Sequence, residues 1–221
     1  MKKNRKYDFD KSKYVGINLG SSTDNPPRWI GISGGITIYF VNLPKFILRM
    51  AFPFSRRSRK QSFSEFYREV KMGKVIHHNL FYGIPFRDNS IPNVFSSHFV
   101  EHLTYDSARY LMTEAHRVLQ PGGVVRILVP SLASEVEKMK LAIQQFENGN
   151  IAPMQVFVTE PYEDLQDSFS HHRYMYDVPA LIRIISEAGF SQVSEKQVGE
   201  GKMPDLTLLE KRKSIIVEAI K

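Results

Sequence analysis

Residues 96–130, SSHFVEHLTYDSARYLMTEAHRVLQPGGVVRILVP, decide the fold because they contain a long amphipathic helix and a buried strand. The apolar side chains recur at the i, i+3, i+4, i+7 spacing of a helix that packs one face on a sheet, at Ala108, Leu111, Met112, Ala115, Val118 and Leu119. The run Val124–Val129 is almost entirely apolar and β-branched, which predicts a strand buried on both faces. The stretch is therefore half of a βαβ unit.

Both ends of this helix are marked in the sequence. Thr104, Asp106 or Ser107 can cap its beginning with a side-chain oxygen. The Pro-Gly-Gly run at 121–123 predicts its end, because proline cannot continue a helix and glycine allows the chain to reverse.

The rest of the chain alternates between strand-like and helix-like segments. Strands are predicted at Val15–Leu19, Trp29–Ser33, Lys74–His78, Val94–Ser97, Val124–Val129, Ser191–Val198 and Ser214–Ile220. Helices are predicted within 42–72, at Leu132–Glu147 and from Asp177 to Ala188. This alternation predicts an α/β fold with a doubly wound, mostly parallel sheet, which binds ligands at the carboxyl ends of its strands. Because only residues 20–28 separate the first two strands, the first crossover helix is expected to be shortened or absent.

Composition indicates one globular domain. The chain has 221 residues, of which 42% are hydrophobic and 24% are charged. It contains no cysteine, which excludes disulfides, zinc–thiolate sites and thiol catalysis. We expect a flexible basic tail over 1–14 and a single domain over 15–221. The basic start is not followed by an apolar run, so no signal peptide is predicted and a cytoplasmic protein is expected.

The net charge of +7 is concentrated in one segment. Residues 45–74 contain nine basic and two acidic side chains, a difference of seven, and they belong to a partly apolar insertion at 36–74. Such a surface suits an anionic membrane or a phosphorylated substrate, and the simpler alternative is a solvated insertion packed over the sheet. Prolines and charges interrupt it too often for a membrane span. Nucleic acid is not predicted, because no base-stacking platform accompanies the charge.

The segment EAHRVLQPGG at 114–123 resembles the E-x-x-R-V-L-K-P-G-G pattern of type 11, class I S-adenosylmethionine (SAM) dependent methyltransferases, with Gln120 in place of lysine. LFYGIPFRDNS at 80–90 is similar to their L-x-x-G-L-P-F-x-D-N-S pattern, and HRYMYD at 172–177 and EAGF at 187–190 extend the likeness. Within that family, the chain resembles the subgroup often found beside bacterial glycan-assembly enzymes. The resemblance implies a Rossmann-like sheet of the seven-stranded type, with the last strand antiparallel.

The resemblance also implies that SAM is the cofactor and predicts where it binds. The residues at the matching positions are Asn18, Gly20, Ser21, Ser22, Ser33, Asn79, Leu80, Ser97 and His98. Two of the three expected glycines are absent, Asn18 stands where an acid is usual, and Ser33 replaces the acid that binds the ribose. A hydroxyl cannot hold two ribose hydroxyls as a carboxylate does, although Gly34 and Gly35 leave room for backbone amides to compensate.

Histidines beside the fourth strand are the candidate bases, since a neutral imidazole accepts protons near pH 7. His98 would lie nearest the cofactor, His102 is the preferred catalytic base, and Glu101 would orient it. The alternative is that Glu101 and His102 only bridge neighbouring loops. His172, Arg173 and Tyr174 are expected to line the acceptor pocket, and no metal site is predicted.

These inferences favour a SAM-dependent enzyme that methylates a hydroxyl of a sugar or polysaccharide intermediate, with the acceptor class taken from the resemblance alone. One alternative is a non-catalytic relative of the same fold that docks through residues 45–74. Another is a methyltransferase for a lipid-linked or other small substrate at the membrane surface. A glycan or other small-molecule acceptor is the expected partner.

Overall fold

The structure, a computed structural model, describes residues 7–21, 25–35, 43–54, 58, 62–72, 74–149, 173–210 and 214–221. Its centre is a seven-stranded sheet with the order β3-β2-β1-β4-β5-β7-β6. The strands are β1 Gly16–Leu19, β2 Trp29–Ser33, β3 Lys74–His77, β4 Ile91–Ser97, β5 Leu119–Val129, β6 Ser191–Glu195 and β7 Ile215–Ile220. Strands β1 to β5 run parallel, and β7 is antiparallel to both of its neighbours. The predicted doubly wound, mostly parallel sheet with an antiparallel last strand is confirmed.

Helices cover the sheet and connect its strands. They are α1 Lys45–Ala51, α2 Phe63–Met72, α3 Tyr105–Val118, α4 Leu132–Glu147, α5 Val178–Glu187 and α6 Leu206–Leu209, with 3-10 turns at Phe52–Phe54, Leu80–Tyr82 and Val100–His102. Helix α6 was not predicted. In the β1–β2 connection, the described residues 20, 21 and 25–28 form no helix, as the short spacing predicts. No helix in the described part of the chain is long and apolar enough to cross a membrane.

Helix α3 begins as its sequence predicts but ends differently. Among the three candidate caps it is Thr104 whose hydroxyl accepts a hydrogen bond from the Ser107 amide, at 3.4 Å. After Val118, however, the chain enters β5 at once, and the Pro-Gly-Gly run lies within the strand. The prediction of a chain reversal at 121–123 is therefore wrong.

The physical reason is a bulge between neighbouring strands. Ile91 pairs with Leu119 and Asn93 pairs with Val124, so the Pro-Gly-Gly run bulges opposite Pro92. The same pairing starts β4 at Ile91, three residues before the predicted Val94. Gly122, at a φ of 75°, supplies a conformation that other residues rarely adopt.

Apolar residues fill both faces of the sheet. One cluster joins β1, β2, β4 and β5 to α3 and α5. A smaller cluster on the other face consists of Trp29, Phe95, Val124, Leu128 and Ile216 from the strands, with Met203 and Leu209 packed against them. All residues of Val124–Val129 are buried, as predicted.

Residues 7–14, which were expected in a flexible tail, instead pack on the domain. The Tyr7 amide donates to the Pro85 carbonyl at 2.7 Å, and the rings of Phe9 and Phe86 lie 6.1 Å apart. The ordered domain therefore begins before residue 15. Residues 1–6 of the expected tail lie outside the described residues.

A polar clamp joins α3 to the loop before β4. Glu114 accepts a hydrogen bond from the Ile84 amide at 2.8 Å, and Arg117 donates to the Ile84 and Phe86 carbonyls and pairs with Asp88. Glu114 and Arg117 also pair with each other at 2.7 Å. This clamp joins the segments 80–90 and 114–123 to each other, and it gives Glu114 and Arg117 a structural role.

The clamp predicts an acid-dependent stability. Burial by itself raises the pKa of the Glu114 carboxyl, but hydrogen bonds from Arg117 and the Ile84 amide outweigh it and hold that pKa below its usual value. Stability from this group is therefore complete above the unfolded-state pKa, about 4.3, and is lost as the pH falls through the lower folded-state pKa. We expect Glu114→Gln to lower the free energy of unfolding by about 1.5–3 kcal/mol at pH 7.

Urea unfolding of both proteins at pH 7 and at strongly acidic pH measures this difference. The gap between wild type and Glu114→Gln should shrink in acid. The control is Glu137→Gln, because Glu137 pairs with Lys140 at the surface, with both side chains 66% exposed, and such pairs contribute little. A gap that stayed constant with pH would contradict the clamp.

Candidate functional site

The carboxyl ends of β1, β2, β3 and β4 lie along one edge of the sheet, because these strands are parallel and adjacent. Backbone hydrogen bonds tie the ends together. The Gly20 amide donates to the Ile32 carbonyl at 2.8 Å, and the His78 amide donates to the Ser33 carbonyl at 3.0 Å. The residues predicted to hold the cofactor are therefore close along this edge, which is where open α/β sheets bind ligands.

The turn after β1 requires glycine. Gly20 has a φ of 71°, and a side chain at this position would meet Phe99, since a Cβ would lie 2.2 Å from the Phe99 ring. The Ser21 hydroxyl likewise occupies the space beside the Gly31 Cα. One side of the turn is thus packed by protein, and a ligand there would be recognised by backbone atoms. Ser22 lies outside the described residues.

The ends of β2 and β3 also approach each other closely. The Ser33 hydroxyl accepts from the Gly35 amide at 3.4 Å, and a Cβ on Gly34 would lie 3.5 Å from the Asn79 Cα. The Asn79 side chain caps the next 3-10 turn by accepting from the Phe81 amide at 3.0 Å. Leu80, which the resemblance places in the cofactor site, packs in the core.

The fit to SAM is good in the backbone and weaker in the side chains. The Gly20 turn has the positive φ that lets a backbone approach a ligand closely, and the Phe99 ring fills the space into which a Gly20 side chain would project. Asn18 is buried within β1, and Ser33 offers a hydroxyl where a carboxylate would bind the ribose more strongly. The residues present therefore fit the cofactor, with a lower expected affinity.

A carboxylate between two histidines is the chemical centre of this edge. Glu101 is 1% exposed, and its Oε1 lies 3.6 Å from His98 Nδ1 and 3.9 Å from His102 Nε2. The histidines follow β4, the first directly after Ser97 and the second in the next 3-10 turn. The structure thus brings together the three residues predicted as catalytic.

His98 is held in an unusual conformation by a partner that the sequence did not indicate. Its φ is 51°, a value that non-glycine residues rarely adopt and that often marks a functional site. Its Nε2 lies 2.8 Å from the Ser214 hydroxyl, directly before β7. Because β7 runs antiparallel to β5, its beginning lies at the carboxyl edge, and this topology is the signal that could have identified Ser214.

The predicted acceptor segment reaches the same centre. The amides of Arg173 and Tyr174 donate to the Glu101 carbonyl at 2.8 and 3.1 Å. The Tyr174 ring lies 5.4 Å from the Tyr105 ring and 4.7 Å from the Tyr176 ring. Sequence reasoning missed these two aromatic partners. His172 lies outside the described residues.

Tyr176 is the buried member of this aromatic cluster. It is fully buried, and burial raises the pKa of its phenol, as do the neighbouring Tyr174, Tyr105 and Glu101. The phenol therefore stays neutral at all ordinary pH values. A neutral, buried ring therefore lies beside the Glu101 carboxylate.

Comparisons with known proteins agree with this geometry. The Methyltransf_11 family, a methyltransferase domain, matches residues 46–127, from α1 into β5. A SAM dependent methyltransferase from Archaeoglobus fulgidus is similar in structure, with a TM-score of 0.52, 14% identity, and coverage of 95% of this chain and 89% of that one. The structure of PigF with SAH has a TM-score of 0.51 and 10% identity, and the alignment covers 97% of this chain and 58% of that one. No curated protein matches the sequence.

These likenesses show the fold. At such low identities the structures support a shared architecture, the Rossmann-like sheet of SAM-dependent methyltransferases. The matched segment contains the clamp and the histidine–carboxylate centre. The acceptor does not follow from either comparison.

Proposed function

We propose that this protein is a SAM-dependent methyltransferase that methylates a hydroxyl group of a sugar or polysaccharide intermediate. The observation that carries the proposal is the Glu101 carboxylate between His98 and His102, at the sheet edge that also contains the Gly20 turn. When bound, SAM supplies an electrophilic methyl group. The protein has to align the acceptor with that methyl and remove the hydroxyl proton.

His102 is the base in this proposal, and Glu101 positions it. Both ring nitrogens of His98 face protein groups, Ser214 on one side and Glu101 on the other, so His98 is better suited to shaping the site than to accepting a proton. Glu101 also stabilises the imidazolium that forms when His102 takes the proton, because an opposite charge within 4 Å favours the protonated ring.

The acceptor class rests on two supports. The sequence resembles the methyltransferases found beside glycan-assembly enzymes, and the Arg173–Tyr174 segment lies against the Glu101 carbonyl. Arg173 can bind a phosphate or a sugar hydroxyl, and Tyr174 adds an aromatic wall with Tyr105. A sugar or a sugar phosphate suits such a combination of groups.

Ser33 stands where related methyltransferases have the acid that binds the ribose, and restoring that acid is the sharpest test of cofactor binding. We expect Ser33→Asp to bind S-adenosylhomocysteine roughly tenfold to a hundredfold more tightly than wild type, because one charge-assisted hydrogen bond to the ribose contributes about 1.5–3 kcal/mol. Isothermal titration calorimetry measures both affinities. Ser33→Asn, which has a similar size and no charge, is the matched control and should show no comparable gain.

A second candidate function is favoured by the absence of the usual acidic residues from the predicted cofactor site. Asn18 and Ser33 both lack the carboxylates of a typical cofactor site, as a non-catalytic binding module of this fold would. That candidate predicts no heat of binding for wild type with millimolar S-adenosylhomocysteine and no rescue by Ser33→Asp. Binding by wild type, strengthened in Ser33→Asp, would exclude it.

A further inference from the structure

An apolar ridge lies on the outer face of α1 and the 3-10 turn that follows it. Its members are Phe46, Met50 and Phe54, which are 66%, 73% and 92% exposed. Leu48 and Phe52 of the same segment are buried. Because successive helical residues are about 100° apart, Phe46 and Met50 point roughly opposite to Leu48, away from the protein.

The ridge is held firmly from below. The Phe52 ring lies 5.5 Å from Phe63 and 5.2 Å from Phe66, so α1 and its turn are anchored on α2 by aromatic packing. The segment that carries the three outer side chains is therefore anchored on α2, and large exposed apolar groups in a row are unusual in a soluble monomer.

Two exposed basic side chains lie beside this ridge. Lys45 and Arg49 are exposed beside it, and their cationic groups lie 5.0 Å from the Tyr67 ring and 5.8 Å from the Phe63 ring. The sequence of 45–74 has nine basic and two acidic side chains, including Arg56, Arg57, Arg59 and Lys60, which lie outside the described residues. Basic groups beside exposed Phe and Met are the chemistry of surfaces that bind anionic bilayers.

We propose that this ridge inserts into the headgroup region of an anionic lipid bilayer, with Lys45 and Arg49 contacting lipid phosphates. A second copy of the chain is a poorer occupant, because it would place two strongly positive segments together. A soluble phosphorylated ligand would use the charge and leave the ridge in water. An anionic bilayer complements both the charge and the apolar side chains. This docking is independent of the proposed methyl transfer.

Co-sedimentation with phosphatidylcholine vesicles, with and without phosphatidylglycerol, tests the proposal. We expect binding only to vesicles that contain phosphatidylglycerol, and weaker binding at high salt. The triple variant Phe46→Ser, Met50→Ser, Phe54→Ser should bind at least roughly tenfold more weakly. The double variant Lys45→Gln, Arg49→Gln should weaken binding by about thirtyfold, because each basic group near an anionic surface contributes about 1 kcal/mol of binding free energy.

The matched control is the triple variant Tyr82→Ser, Val198→Ser, Leu208→Ser, which removes three other exposed apolar side chains and should bind as wild type does. Equal vesicle binding by the ridge variant and wild type would overturn the proposal, as would no vesicle binding. So would dimerisation through the ridge, seen by sedimentation velocity without vesicle binding. Thermal melts and S-adenosylhomocysteine binding of each variant separate loss of docking from loss of fold or cofactor site.

Discussion

Replacing Arg126 with methionine is expected to lower the free energy of unfolding by about 3–5 kcal/mol, a large part of a typical domain's stability. Arg126 is fully buried in β5, and its guanidinium contacts Glu210 and Glu218, which are also buried. Methionine fills a similar volume but leaves two carboxylates in the interior without a counter-charge. The loss is measured by urea unfolding at pH 7.

A variant that removes all three charges provides the control. In Arg126→Met with Glu210→Gln and Glu218→Gln, the amide oxygens can still accept from the Gly199 and Lys202 amides, which bind the carboxylates in wild type. We expect this triple variant to recover most of the lost stability, because a buried charge without a partner is the main cause of the loss. Wild-type stability in the single variant would contradict the argument.

The second large effect concerns turnover. We expect His102→Ala to lower the rate of S-adenosylhomocysteine formation with a sugar acceptor by roughly a hundredfold to ten-thousandfold, which is the contribution of a general base. The affinity for S-adenosylhomocysteine should not change, because the strand ends that would hold the cofactor are untouched. The rate is measured for any sugar or polysaccharide acceptor that wild type methylates.

His77→Ala is the matched control, since His77 is an exposed histidine on β3 and should keep full activity. Glu101→Gln keeps the shape of the carboxyl group and should shift the pH dependence of turnover as well as lower it, whereas a purely structural Glu101 would leave that pH dependence unchanged. Undiminished turnover in His102→Ala would remove it as the base.

Sequence patterns predicted correctly the elements that are stabilised by interactions between residues close together in the chain. The apolar stripe and the Thr104 cap predicted α3, because helix hydrogen bonds and caps join residues three or four apart. The Pro-Gly-Gly run misled because its conformation depends on distant partners. The Gly122 amide bonds to the Lys221 carbonyl, and the Lys221 amide bonds to the Gly123 carbonyl.

The same distinction applies to the site. His98, Glu101 and His102 were predicted together because they lie within one turn of chain after a strand. Ser214, 116 residues from His98, enters only through the antiparallel direction of β7. Arg126 lies 84 and 92 residues from its partners Glu210 and Glu218. The local sequence therefore showed a charged residue within an apolar strand and gave no sign of these partners.

The central claim is that a nucleoside cofactor binds where β1 and β2 end. The most direct measurement is a crystal structure of the protein grown with S-adenosylhomocysteine. We expect electron density for the adenosine between the Gly20 turn and Ser33, with the sulfur directed toward His98 and Glu101. A structure in which this cleft holds no ligand at saturating concentration, with Phe99 still packed over Gly20, would contradict the account.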